Sequence, residues 1–291
     1  MIFLTMTYAT LFLRAIDPAG ESFNLLKRLG LLPEINFESG WTAFSYKRHR
    51  ELAQIVLDHF PGAAVHLPYG GLDFGRGEGF AVKKDKILKA VETANLYRPH
   101  HFIAHPSFKS LTDSVLGPKK YPGFKRDNLS SLSQSPGQSW LERSVSVWSA
   151  VLGSSQASLC LENTHEHSPE PILALLDRLE DRAGFCLDFG HWFHYAMGRH
   201  WDNLDFWLDK AASKLRHAHV HDNNGEGDQH RALGQGLIDY DKVRELLAER
   251  DLRPNVTIEN HLAQDLLESY NVLAQTPLWT EPLNGLKLKV S

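Results

Sequence analysis

The sequence predicts an α/β protein built as a single (β/α)8 barrel. Three observations carry that reading. Strand and helix signals alternate along the 291 residues, the pattern of parallel strands joined by crossover helices. Eight strand-like segments are present, the number that closes such a barrel. Six consecutive segments end in histidine, glutamate or aspartate, and barrel enzymes build their sites at that face. With 42% hydrophobic residues the chain supplies one large core, so residues 1–291 are read as one domain.

A first strand is expected within Ile2–Ala9, in an apolar start that lacks the basic residues and small-residue cleavage site of a targeting segment. A helix near Ser22–Leu29 has the apolar stripe Phe23, Leu25, Leu26 and Leu29. Leu32–Phe37 is the second strand, and Phe44–Phe60 a helix stopped by Pro61-Gly62. Ala63–His66 is the third strand, and Val82–Tyr97 is helical. His101–His105 is the fourth strand, ended by Pro106. Residues 107–137 are rich in Ser, Gly, Pro and Lys; so long a loop leaving the catalytic face can fold over it as a lid, or its Lys109, Lys119, Lys120, Lys125 and Arg126 can grip a DNA backbone, and both readings stay open. Trp140–Leu152 is a helix and Ala157–Asn163 the fifth strand. Pro169–Leu179 is a helix with proline at its start, where the missing N–H costs nothing. Gly184–Asp188 is the sixth strand, Asn203–Ser213 a helix, and Leu215–His221 the seventh strand. Asp239–Glu249 is a helix, Asn255–Asn260 the eighth strand, and Gln264–Leu273 a last helix before a tail over about 275–291.

The formal charge of −4 argues against a chain held to nucleic acid by phosphate contacts alone. Cys160 and Cys186 are too few for a disulfide framework and read as small buried hydrophobes, which suits the cytoplasm. No run of eighteen apolar residues exists, so no membrane partner is expected. The sixteen histidines are many, and histidine is the commonest metal ligand.

The strand ends explain that excess. His66 closes the third strand, His105 the fourth, Glu162 the fifth, and Asp188 the sixth with His191 just beyond. His219 and His221 end the seventh, and Glu259 the eighth. The densest stretch is His217–Gly236, where His217, His219 and His221 share one face by strand periodicity, and a Gly-broken loop returns with Asp228-x-His230. Buried carboxylates are rare unless paired or bound to metal. Imidazole and carboxylate donors without thiolate suit zinc, manganese or iron.

In order, the chain carries His66-Leu-Pro-Tyr69, His105-Pro106, Leu161-Glu162-Asn163-Thr164, Cys186-Leu-Asp188-x-x-His191, His219-x-x-Asp222, Asp228-x-His230 with Gly234-x-Gly236, and Ile258-Glu259. This series resembles the endonuclease IV (AP endonuclease family 2) branch of the xylose isomerase-like TIM barrels, over about residues 60–262. In that branch nine ligands hold three zinc ions. The resemblance implies that His66, His105 and Glu162 hold one metal, and that Glu162 bridges to a second held also by Asp188, His219 and Glu259. It implies that His191, Asp228 and His230 hold the third. The His217/His219/His221 ladder leaves one register open, and His219 is taken from its spacing to Asp222.

The implied activity is metal-dependent hydrolysis of a phosphodiester, with Glu162, Asp188 and Glu259 as the catalytic carboxylates. Clustered divalent ions screen phosphate charge, activate water and stabilise the leaving oxygen. The alternative is a sugar isomerase or epimerase of the same superfamily, which uses one metal held by the equivalents of Glu162, Asp188, His219 and Glu259. Tyr69, His221, Asp222 and Trp192 are expected to contact substrate. The resemblance departs from the DNA-repair enzymes after Tyr69, where Gly70-Gly71 replaces an apolar wedge, and around Gly40-Trp41, which carries no DNA-probing basic residue. A small phosphodiester, such as a cobamide, is therefore expected in preference to abasic duplex DNA.

Overall fold

Eight short segments become strands: β1 (Thr7–Phe12), β2 (Leu32–Asn36), β3 (Ala63–His66), β4 (Pro99–Ala104), β5 (Ser158–Glu162), β6 (Ala183–Asp188), β7 (Leu215–Val220) and β8 (Asn255–Ile258). In the computed structural model they pair in parallel, in chain order, and close with β8 against β1. The structure describes residues 6–37, 45–69, 74, 77, 79–106, 138–166, 168–195 and 201–275. The loop over 107–137 with both its readings, Gly40-Trp41, Gly70-Gly71 and the tail beyond Gln275 lie outside the described residues. Among the described residues no helix is long and apolar enough to cross a membrane.

The helices are α1 (Glu21–Leu29), α2 (Tyr46–Leu57), α3 (Phe80–Ala94), α4 (Gln138–Gly153), α5 (Glu170–Leu176), α6 (Phe189–Tyr195), α7 (Trp201–Ala211), α8 (Tyr240–Glu249) and α9 (Ala263–Gln275). Local chemistry sets their ends. The Ser45 hydroxyl accepts from the Arg48 N–H to start α2, and Asp239 does the same for Lys242 at α8. Gly30 closes α1 with a φ of 68°, where glycine carries no steric penalty.

Two expectations need correction. The first strand is shifted: it starts at Thr7 and runs to Phe12, with Tyr8 opposite Leu32 and Phe12 opposite Asn36. A continuous apolar run gives no register by itself; pairing on both flanks does. The short helix α6 was not expected, because it follows β6 without a linker. The backbone N–H of His191 bonds the Asp188 carboxylate at 2.6 Å, so the strand's last residue helps start the helix.

The helices pack Trp148, Trp192, Trp207 and many leucines around the barrel, all removed from solvent. The barrel interior is different. Beneath the C-terminal mouth it holds Tyr8, Glu34, His101, His217 and Thr257, all buried, beside an apolar group of Ile103, Cys160 and Cys186. Both cysteines are free thiols, and burial pushes Cys160 up to about 12, so they behave as inert small side chains. His217 Nε2 donates to Thr257 Oγ1 at 2.8 Å, since that hydroxyl gives its own proton to Glu34, and His217 packs against His101, with ring centroids 4.7 Å apart. The three-histidine ladder is thus divided: His217 has an ordinary buried, hydrogen-bonded role, and only His219 and His221 reach the mouth.

Candidate metal centre

Strand periodicity delivers the site. Side chains two apart share a face, so His66, Glu162, Asp188 and His219 all enter the barrel mouth from strand ends. His105 follows β4 directly and Glu259 follows β8. His191 comes from the first turn of α6, and Asp228 and His230 from the loop after β7. Among the described residues the donor atoms fall into five overlapping sets whose members lie within 4.8 Å of one another: His66, His105 and Glu162; Glu162, Asp188, His219 and Glu259; His191, Asp228 and His230; His221, His230 and Glu259; and, deeper, Cys186, His217 and His219. The structure therefore brings all nine expected ligand residues to one place.

Glu162 is central. Its Oε2 lies 3.0 Å from His66 Nε2 and 3.4 Å from His105 Nε2. Its Oε1 lies 3.4 Å from His219 Nδ1 and 3.2 Å from His191 Nδ1. His219 Nδ1 is also 3.0 Å from Glu259 Oε2 and 3.6 Å from Asp188 Oδ2. Asp228 Oδ2 is 3.2 Å from both His191 Nε2 and His230 Nε2. Zinc arms of about 2.0–2.1 Å in a tetrahedron hold their donor atoms roughly 3.3 Å apart. These spacings fit that figure. His219 Nδ1, Asp188 Oδ2 and Glu259 Oε2 are buried without a hydrogen-bond partner among the described residues. Three orphaned polar atoms around one point are what a cation would satisfy.

The outer contacts orient the rings. Carbonyl and carboxylate oxygens only accept, so a ring nitrogen facing one carries the proton. His66 Nδ1 donates to Leu67 O at 3.0 Å, His191 Nδ1 to Asn163 O at 3.0 Å, and His230 Nδ1 to Glu259 O at 3.0 Å. Each of these three rings then aims Nε2 into the site. His219 is reversed: its Nε2 faces Glu34 Oε2 at 3.3 Å, so Nδ1 points inward. Such back-side partners fix the orientation of metal-binding imidazoles. His230 holds a φ of 47°, a left-handed conformation uncommon for a side chain with a Cβ. Its carbonyl is held by Asn260 Nδ2 at 2.9 Å.

The electrostatics follow. Burial works against each charge, but the imidazoles His219 and His105 hold Glu162 well below the usual carboxylate range. Burial also opposes charge on His191, yet Asp188 and Asp228 raise it well above the ordinary imidazole value. His230 is raised to about 9, with burial outweighed by Glu259 and Asp228. Metal-free, this cluster stores protons that a cation must displace.

Four expected substrate contacts are placed as follows. Tyr69 stacks on His105 with centroids 4.5 Å apart and is 42% exposed, so it stands at the mouth. Trp192 does not face the site: it is 1% exposed in the apolar shell, with its indole N–H on Asn203 Oδ1. Asp222 is sealed and its carboxylate is fully used. Oδ1 accepts from the backbone N–H groups of Asn223 and Ile238, and Oδ2 from that of Gly234. A Cβ at Gly236 would collide with this carboxylate, which explains that glycine. His221 is also sealed from solvent and lies among the ligands rather than at the surface.

Two contributors were missed. Glu34 is a carboxylate in the middle of the strand Leu-Pro-Glu-Ile-Asn, and an acid inside a buried strand was the available signal. Asn163 clamps β6 to β5: its Nδ2 donates to Asp188 O and its Oδ1 accepts the Asp188 N–H.

A family model for the xylose isomerase-like TIM barrel matches residues 35–276. The chain belongs to that family. Among solved structures, the xylose isomerase-like barrel resembles a Thermus thermophilus protein soaked with ZnCl2, at 22% identity and a TM-score of 0.65, covering 92% of this chain and 98% of that one. It resembles a D-tagatose 3-epimerase-like protein at 20% identity and a TM-score of 0.61, covering 83% and 87%. A putative xylose isomerase from Rhodospirillum rubrum aligns at 12% identity and a TM-score of 0.66, covering 92% and 97%. These likenesses show the fold. An uncharacterised protein of Methanocaldococcus jannaschii is 28% identical over 109 residues, 37% of this chain and 36% of that one. An uncharacterised protein of Sinorhizobium fredii is 27% identical over 114 residues, 38% and 35%. The matches thus span about a third of these relatives' length.

Proposed function

We propose that this chain is a metal-dependent phosphodiesterase with a centre for three divalent cations, zinc suiting the donors best, acting on a small phosphodiester such as a cobamide. One observation carries the reading: the nine expected donors make up three of the five close donor sets among the described residues, and Glu162 belongs to two of them. His66, His105 and Glu162 would hold the first cation; Glu162, Asp188, His219 and Glu259 the second; His191, Asp228 and His230 the third. When bound, such a cluster screens phosphate charge, activates water and stabilises the departing oxygen.

The chain's own residues do the rest. Glu162 sets the spacing of two positions, because its two oxygens face different imidazoles. In this reading Glu259 would orient the attacking water and take its proton. Tyr69 offers an exposed ring face beside His105 to a substrate that carries a ring.

A one-metal sugar epimerase is the second reading. It is favoured by the set Glu162, Asp188, His219 and Glu259, which stands complete on four strand ends. It leaves His66, His105, His191, Asp228 and His230, gathered at the barrel mouth, without a task. The test is elemental analysis of protein never exposed to chelator, followed by assay on a cobamide, small phosphodiesters, abasic duplex DNA and ketoses. The expected result is three ions, hydrolysis of a small phosphodiester, and no incision of abasic duplex DNA at roughly 150 mM salt. One ion with ketose epimerisation overturns the proposal. Efficient duplex incision returns the chain to the repair endonucleases.

A further inference from the structure

His221 follows the last residue of β7 and is fully buried. Its ring occupies space that only glycine at 190 leaves free: a Cβ on Gly190 would overlap the imidazole. Nε2 lies 3.3 Å from Asp188 Oδ1 and 3.7 Å from Asp228 Oδ1. The ring stacks on His230 with centroids 4.1 Å apart. Neither ring nitrogen has an aligned hydrogen-bond partner among the described residues. A buried imidazole is ordinarily settled by a hydrogen bond, as His217 is by Thr257. His221 is instead aimed between two carboxylates that already belong to the centre.

Resting on the three-cation reading, we propose that His221 is a tenth metal-binding side chain, the fourth protein ligand of the position held by His191, Asp228 and His230. Asp228 is the geometric link. Its Oδ2 lies 3.2 Å from the Nε2 atoms of His191 and His230, and its Oδ1 is 3.7 Å from that of His221. The donor atoms of His221, His230 and Glu259 also lie within 4.8 Å of one another. Three imidazoles and one carboxylate make a closed shell, and closed shells belong to ions that hold structure. Such an ion would tie α6 to the loop after β7, and the hydrolytic step would fall to the two positions that share Glu162.

The experiment compares the unaltered protein with His221→Gln and His221→Asn. Each is stripped of metal, checked for fold by circular dichroism, and titrated with Co2+ while visible absorption and bound metal are measured. The unaltered protein should take three ions, one giving the intense absorption of a tetrahedral site. Both variants should keep two ions and bind the third at least about tenfold more weakly, the scale of a lost orienting contact or more. Three ions with unchanged affinity and spectrum in the variants overturn the inference and leave the three-cation reading intact. One ion in the unaltered protein overturns both. A zinc-anomalous crystal structure of the unaltered protein decides the matter even where the variants fail to fold. Zinc about 2.0–2.1 Å from His221 Nε2 supports the assignment, and a water in that coordination position overturns it.

Discussion

His219 Nε2 lies 3.3 Å from Glu34 Oε2 at the floor of the centre, with both side chains sealed from solvent. The Thr257 hydroxyl donates to the same oxygen at 2.5 Å. Glu34 therefore selects the tautomer of His219 that turns Nδ1 toward Glu162, Asp188 and Glu259. Glu34→Gln puts an amide there that can donate as well as accept, and the selection is lost. The second metal position should weaken about 10–100-fold with the fold intact. Competition against a chelating dye checks this, and unchanged affinity would remove Glu34 from the orienting role.

Glu162→Gln removes a charge that, on the three-cation proposal, two positions would share. Activity on the phosphodiester should fall by several orders of magnitude, as when an electrostatic catalyst is dismantled. Bound metal should fall with it. Near-normal turnover in this variant would sink the bridging assignment.

Asp222→Ala strips the acceptor from the backbone N–H groups of Asn223, Gly234 and Ile238. Each buried donor left unpaired costs about 1–3 kcal/mol. The melting temperature should drop and the third cation should weaken, because Asp228 and His230 lie between those anchors. A drop in activity with unchanged melting would instead restore Asp222 to a substrate contact.

A pH prediction rests on His101. Burial, opposed weakly by Glu34, lowers it from 6.5 to about 4. The unfolded chain binds this proton at higher pH than the folded one, so stability rises with pH between the two values and is lost as pH falls through them. The loss is on the order of 3 kcal/mol between about pH 6.5 and 4. His101→Gln should flatten the dependence of melting temperature on pH over that interval. An unchanged slope would mean that another group carries the acid sensitivity.

Much of this was legible in the residues because the barrel ties chemistry to strand ends. His66, Glu162, Asp188 and Glu259 stand at or beside ends that apolar runs and prolines marked. What could not be read was orientation. Asp222 and Asp228 look alike in sequence, yet Asp222 turns onto backbone amides and Asp228 onto imidazoles. Trp192 belongs to the apolar shell because α6 begins directly at the end of β6 and turns its indole away. Glu34 escaped notice because its partners, His219 and Thr257, are 185 and 223 residues distant along the chain.

The carboxylate of Asp222 closes a loop in which every donor of the third set except His191 resides. The loop lies outside the strand ladder: β7 and β8 pair through Val220 and Ile258 beneath it. A shortened version would lose Asp228 and His230 while Glu162, Asp188, His219 and Glu259 kept their places. On the three-cation proposal, remodelling that one connection would remove the third position and leave the two that share Glu162, with no strand altered.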